Sequence, residues 1–159
     1  MNISISVVEV IQSMLAPGIM ISACGLLLLG MNNKYSLVVN RIRLLNEERR
    51  RTIHKYSDDN LAYPENIRLE SISKQITSLV YRVKLVRNAV LSYTIAVALF
   101  ILTSFFIGLA FLFNFPGLNY FVTIFFLLGM LSVLVGIIFA AYETIKGYEI
   151  VNFEVSIDE

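Results

Sequence analysis

The chain has 159 residues, 57% of them hydrophobic, which predicts a single domain and excludes an ordinary water-soluble protein. Its single cysteine, Cys24, excludes an intramolecular disulfide and a cysteine-based zinc cluster. The net charge is only +1, but twelve of the thirteen Lys and Arg residues lie from Lys34 to Arg87, and the end of the chain is acidic.

Three apolar runs are long enough to cross a hydrocarbon core of about 30 Å. They occupy residues 14–31, 89–113 and 120–142, and the second and third contain no ionisable Asp, Glu, Lys, Arg or His. Pro116 and Gly117 lie between these two runs in a short segment with turn chemistry. We therefore expect an all-α membrane protein with three transmembrane helices, the last two forming a helical hairpin.

The basic residues predict the orientation of the chain. Loops rich in Lys and Arg remain on the cytoplasmic side of a membrane. The segment from Lys34 to Arg87 should then be cytoplasmic, with the N-terminus outside. Lys146, just after the third run, gives the same orientation, so the acidic tail at 143–159 should also be cytoplasmic.

The polar segment at 33–88 has a regular apolar pattern. One set of apolar residues recurs at alternating spacings of three and four, which is typical of a heptad seam: Leu69, Ile72, Ile76, Leu79, Val83, Val86 and Val90. The pattern predicts one helix from about Pro64 to Phe113. A partner strip of Val38, Ile42 and Leu45 and turn chemistry from Ser57 to Pro64 predict an antiparallel coiled-coil hairpin.

The acidic tail carries two further predictions. Val151, Phe153, Val155 and Ile157 alternate with polar residues, which favours a short strand or an extended tail. Glu143, at the cytoplasmic edge of the third run, is expected to form an interfacial ion pair. The sequence offers Lys84, Arg87 or the Arg41 and Arg43 pair as its partners.

Small and hydroxyl-bearing residues in the apolar runs allow two interpretations. Small residues permit close helix packing within or between chains, and the candidates are Gly129, Ser132, Gly136, Ala140, Ser22 and Gly25. The alternative is a hydroxyl-lined path in an oligomer, for which the candidate pore-lining residues are Thr94, Thr103, Ser104 and Thr123. No ionisable group lies within the runs to act as the carboxylate that most transporters carry.

Five arginines follow the first run and form a candidate docking surface for membrane lipids or a cytoplasmic protein partner: Arg41, Arg43, Arg49, Arg50 and Arg51. Nucleic acid is not an expected partner, because Glu47 and Glu48 interrupt the cluster and aromatic stacking platforms are missing. We also find no nucleophile with a base, no phosphate-binding glycine loop and no metal-ligand spacing. We therefore expect no catalytic residue, no metal site and no cofactor.

Residues Leu15–Glu48 resemble a family of small bacterial membrane proteins classed as a domain of unknown function. The resemblance depends on the Ala16-Pro17 pair, the ISACGLLLLG run, Asn32 and Asn33, Arg41-Ile42-Arg43 followed by Leu45-Asn46, and Glu143 after the last run. Leu15–Glu48 covers about a fifth of the chain. The resemblance implies a three-span inner-membrane protein with no known activity.

The order of elements also looks like that of a reduced membrane-motor stator subunit, by analogy of topology alone. Two functions therefore stand as expectations. The first is a non-enzymatic, self-associating inner-membrane protein with a basic cytoplasmic hairpin that docks lipid or a partner. The alternative is a homo-oligomeric ion channel or stator-like pore subunit lined by hydroxyl residues.

Overall fold

The computed structural model describes residues 7–55, 63–113 and 117–155, and these form three helices. Helix α1 spans Val7–Lys55, α2 spans Tyr63–Phe113 and α3 spans Leu118–Val155. All three are long and apolar enough to cross a membrane. The prediction of an all-α, three-span chain is confirmed at this level, and the chain is a multi-pass membrane protein.

The helix bounds follow the sequence signals closely in α2. It begins at Tyr63, one residue before Pro64, and ends at Phe113. Proline fits the first turn of a helix because the amide hydrogen it lacks has no partner there. Most of the predicted turns, at residues 56–62 and 114–116, lie outside the described residues.

The predicted strand in the tail is wrong for the residues that the structure describes. Val151, Phe153 and Val155 belong to α3, which continues without interruption to Val155; Ile157 lies outside the described residues. Extending a helix adds one hydrogen bond for each residue fixed, whereas a strand needs a partner strand. The described part of this chain is entirely helical apart from a turn at Gly117, so it offers no such partner.

One buried residue recurs every seven positions along each helix, which is the spacing of a heptad seam. In α1 these residues are Pro17, Cys24, Met31, Val38 and Leu45. In α2 they are Ile72, Leu79, Val86, Tyr93 and Phe100. In α3 they are Gly129, Gly136 and Glu143. The same period therefore selects the buried face in the apolar and the polar parts of these helices.

The chain divides into two compact units, and each helix contributes to both. The first contains α1 up to Met31 together with Asn88–Phe139. Its core is built on Cys24, Ala96 and Phe100, which are fully buried. Near the α2–α3 connection, Phe106 stacks on Phe125 with ring centroids 5.3 Å apart. This unit consists of the apolar parts of the three helices.

The second unit contains Asn32–Arg87 and the part of α3 from Ala140 onward. Its core combines the two predicted strips: Val38 and Leu45 from α1 pack with Ile72 and Leu79 from α2. Ile42, Ile76 and Val83 are partly buried against them. The polar part of α1 thus packs against the start of α2 through the residues that the heptad pattern indicated.

Candidate functional site

A buried carboxylate joins the three helices in the second unit. Glu143 of α3 has a side chain that is only 1% exposed, and it lies between a lysine of α1 and an arginine of α2. Its Oε1 accepts hydrogen bonds from Arg82 Nη2 at 2.7 Å and Nε at 3.2 Å. Its Oε2 accepts one from Lys34 Nζ at 3.0 Å. Both oxygens of the carboxylate are therefore bound by cations.

Lys34 is held by a second acceptor on α3. Its Nζ also donates to Thr144 Oγ1 at 2.8 Å, and the Thr144 hydroxyl donates to the backbone carbonyl of Ala140 at 3.0 Å. The hydroxyl hydrogen of Thr144 is therefore committed to its own helix, and its oxygen accepts from Lys34. Two adjacent residues of α3 thus fix the position of one ammonium group.

Gly147 provides the space in which Arg82 lies. A Cβ built on Gly147 would come within 2.7 Å of Arg82 Nη2. Glu143 and Gly147 are one helix turn apart, so the guanidinium extends from the carboxylate to the bare backbone of the next turn. A side chain at position 147 would occupy the place of the guanidinium.

The direction in which α1 and α2 pack follows from three ion pairs. Arg68 of α2 donates to Glu48 of α1 at 2.6 Å, while Arg82 and Lys34 meet the same carboxylate. Moving forward along α2 from Arg68 to Arg82 therefore corresponds to moving backward along α1 from Glu48 to Lys34. The polar parts of α1 and α2 therefore run antiparallel. The cluster at Glu143 lies at the end of this helix pair that contains Lys34 and Arg82.

The prediction of an ion pair at Glu143 is confirmed, but its predicted partners are wrong. Lys84 and Arg87 are exposed on α2, and Arg41 and Arg43 are exposed on α1. The heptad register contains the missing signal on α2: Arg82 lies three residues after Leu79 and four before Val86, on the buried face. Lys84 and Arg87 lie off that register.

The five arginines predicted as a docking surface are all exposed. Arg51 donates to Glu47 on its own helix at 2.6 Å. For Arg41, Arg43, Arg49 and Arg50, the described part of the chain contains no carboxylate in ion-pair contact. A shallow groove on α1 is lined by Arg43, Asn46, Glu47, Arg49, Arg50 and Ile53. Three of these arginines thus line a groove whose only described carboxylate, Glu47, forms its ion pair with Arg51.

A family model described as "Protein of unknown function (DUF2721)" matches residues 14–153. The chain belongs to the DUF2721 family. The matched range includes Lys34, Arg82 and Glu143 as well as all five arginines of the docking surface. The resemblance recognised in Leu15–Glu48 is confirmed and extends over most of the chain. Comparison with curated proteins and with solved structures found no match.

In this DUF2721 chain, the small residues of α3 lie under side chains of α2. A Cβ on Gly129 would come within 2.8 Å of the Phe100 ring, and one on Gly136 within 2.5 Å of the Tyr93 ring. Ser132 Oγ donates to the backbone carbonyl of Ser92 at 2.7 Å. Ala140 is half-buried. The structure thus places Gly129, Ser132 and Gly136 at the packing surface between two helices of the same chain.

The small residues of α1 have different surroundings. Gly25 is exposed, and a Cβ built there would meet nothing within 4 Å. Ser22 is also exposed, and its hydroxyl donates to the backbone carbonyl of Gly18 at 3.2 Å. These two residues therefore do not pack against another helix within the described part of the chain. Their role in packing between two chains stays a prediction.

The four candidate pore-lining residues do not share one surface of the chain. Thr94 and Thr123 are exposed, Ser104 is half-buried and Thr103 is 1% exposed. Each hydroxyl donates to the backbone carbonyl four residues earlier in its own helix, at 2.8 to 3.1 Å. This bond is the ordinary way in which serine and threonine satisfy their donors in a helix. A pore built from these residues stays a prediction.

Proposed function

We propose that this chain is a non-enzymatic, self-associating protein of a bacterial inner membrane whose basic cytoplasmic helices dock an acidic partner. The concentration of Lys and Arg between the first two spans supports a cytoplasmic position for this segment, with the N-terminus outside. The observation that carries the docking role is that Arg41, Arg43, Arg49 and Arg50, spread around α1, are exposed and form no ion pair with a carboxylate among the described residues.

Distance along α1 divides these arginines into two pairs. From Asn32, where the polar part of α1 begins, the helix rises roughly 14 Å to Arg41 and roughly 26 Å to Arg49. A headgroup layer is only about 5 to 7 Å thick and electrostatic screening acts over about 8 Å, so lipid attraction reaches the first pair better than the second. Arg49 and Arg50 are therefore better suited to the acidic surface of a cytoplasmic protein, and Arg41 and Arg43 to membrane lipids.

The test uses the full chain in nanodiscs of neutral lipid and a polyglutamate peptide as the acidic probe. We expect the R49Q/R50Q variant to bind the peptide about fivefold more weakly than wild type, because two exposed ion pairs together contribute on the order of 1 kcal/mol. Binding by the wild type should weaken as salt is added, since exposed charges are screened.

The matched control is K84Q/R87Q, which removes the same charge from two exposed positions of α2. It should bind the peptide nearly as well as wild type if Arg49 and Arg50 belong to the docking surface. Equal losses in the two variants would instead indicate attraction to net charge alone and would reject a specific surface. Failure of the wild type to bind the peptide would reject the docking proposal.

The self-association part of the proposal is better placed on α1 than on α3. Gly136 is covered by Tyr93 of the same chain, whereas Gly25 is open on the outside of its helix. Small residues allow two membrane helices to approach closely, and this supports Gly25 as a contact with a second copy. Oligomer size, rather than stability, is the readout that separates this role from internal packing.

A further inference from the structure

The cluster around Glu143 contains more positive than negative charge. One carboxylate, 1% exposed, binds both Lys34 and Arg82, so the three side chains together carry one excess positive charge. The side chain of Arg82 is 20% exposed, while that of Lys34 is 43% exposed. The excess charge is therefore most accessible at Lys34.

Among the described residues, Lys34 uses two of its three hydrogen-bond donors. An ammonium group has three N–H donors, and two of them are directed to Glu143 Oε2 and Thr144 Oγ1. The side chains that the structure describes provide no third acceptor for Nζ. Because two acceptors on α3 already fix this ammonium, its remaining donor is held in place and a ligand would not have to order a mobile lysine.

The sequence favours a position for this ammonium where the helices leave the hydrocarbon core, near the lipid phosphates. Lys34 lies three residues after the end of the first apolar run, and Glu143 lies directly after the third. Tyr35 and Tyr142, beside these two residues in sequence, are 41% and 48% exposed. Tyrosine is enriched where a membrane helix meets the headgroup layer. The surroundings of Lys34 thus favour a lipid headgroup over a small anion from water.

We propose that Lys34, held by Glu143 and Thr144, binds the phosphodiester of an anionic phospholipid such as phosphatidylglycerol. A zwitterionic lipid carries its own cation beside the phosphate, so the excess charge of the cluster favours a lipid with net negative charge. The site uses none of the five arginines. The test of this lipid site is therefore independent of the test of docking at Arg49 and Arg50.

Native mass spectrometry of the full chain in neutral detergent tests this site. The protein is given phosphatidylglycerol and phosphatidylcholine in equal amounts, and the ratio of the two bound lipids is measured. We expect the wild type to prefer phosphatidylglycerol and the K34Q variant to lower the ratio about fivefold, the effect of one basic residue at a membrane surface. The K34R variant, which keeps the charge, should retain the preference.

The matched control is K84Q, which removes an exposed lysine of α2 that lies outside the cluster. It should leave the ratio unchanged, and a fall equal to that of K34Q would overturn the proposal. A wild type without preference for phosphatidylglycerol would overturn it even if K34Q does not fold. Loss of the preference in excess inorganic phosphate would assign the site to a free anion and not to a lipid.

Discussion

The ring of Tyr93 in α2 lies against the bare backbone of Gly136 in α3, so closely that a Cβ on Gly136 would be 2.5 Å from Cε1 of the ring. Phe100 lies over Gly129 in the same way, seven residues away along both helices and in opposite directions. Both residues are at most 1% exposed. The glycines of α3 thus make room for the largest side chains of the core of the first unit.

Replacing Gly136 with leucine should destabilise the chain. The added side chain would displace the Tyr93 ring, and overpacking of a filled core costs about 1–3 kcal/mol. Thermal unfolding of the purified protein in detergent, followed by its helical circular dichroism, measures the effect. Gly30→Leu is the control, because a Cβ at Gly30 meets nothing within 4 Å. Equal unfolding temperatures for the two variants would be inconsistent with the observed ring contact.

Neutralising Glu143 should also lower stability. The Glu143→Gln change removes the carboxylate that Lys34 and Arg82 share. Because these two cations are 43% and 20% exposed, the loss should be smaller than the about 3–5 kcal/mol of a fully buried pair. Glu47→Gln is the matched control, since Glu47 pairs with Arg51 on the surface, where such pairs contribute about 0–1 kcal/mol. The same unfolding measurement compares them. If both variants unfold at the temperature of the wild type, the cluster does not hold the three helices together.

Replacing Gly25 with leucine tests self-association without disturbing the fold of a single chain. No described residue contacts a Cβ at this position, so the variant should keep the unfolding temperature of the wild type while losing oligomers in native mass spectrometry. Gly30→Leu adds the same side chain to another open position of the same helix, on a different face. Its oligomers should persist. Unchanged oligomers in Gly25→Leu would exclude this face as the contact.

Much of the fold could be predicted because periodicity, helix-start signals and apolar run length are all visible in the sequence. The recurrence of Ile72, Leu79 and Val86 predicted the buried face of α2, and the bounds of that helix followed from Pro64 and from the end of an apolar run. These signals are local in sequence and depend on the repeat of the helix. The three spans were predictable from the length of the apolar runs.

The two wrong predictions concern the tail and the partners of Glu143. Apolar and polar residues alternate around Val151 and Phe153, as in a strand, but the helix that begins at Leu118 continues through them. The partners of Glu143 depend on the register between helices, which brings Arg82 and Lys34 to the same carboxylate. Distance along the sequence does not distinguish Arg82 from Lys84 and Arg87 as a partner of Glu143.

The proposed docking of a cytoplasmic partner requires the basic part of α1 to lie on the cytoplasmic side, and labelling of single cysteines tests that requirement most directly. With the buried Cys24 replaced by alanine, Arg49→Cys and Tyr120→Cys each introduce one thiol at an exposed position. In intact bacterial spheroplasts, a membrane-impermeant maleimide should label Y120C and not R49C, and R49C should react only after the membrane is opened. Labelling of R49C in intact spheroplasts would contradict the account.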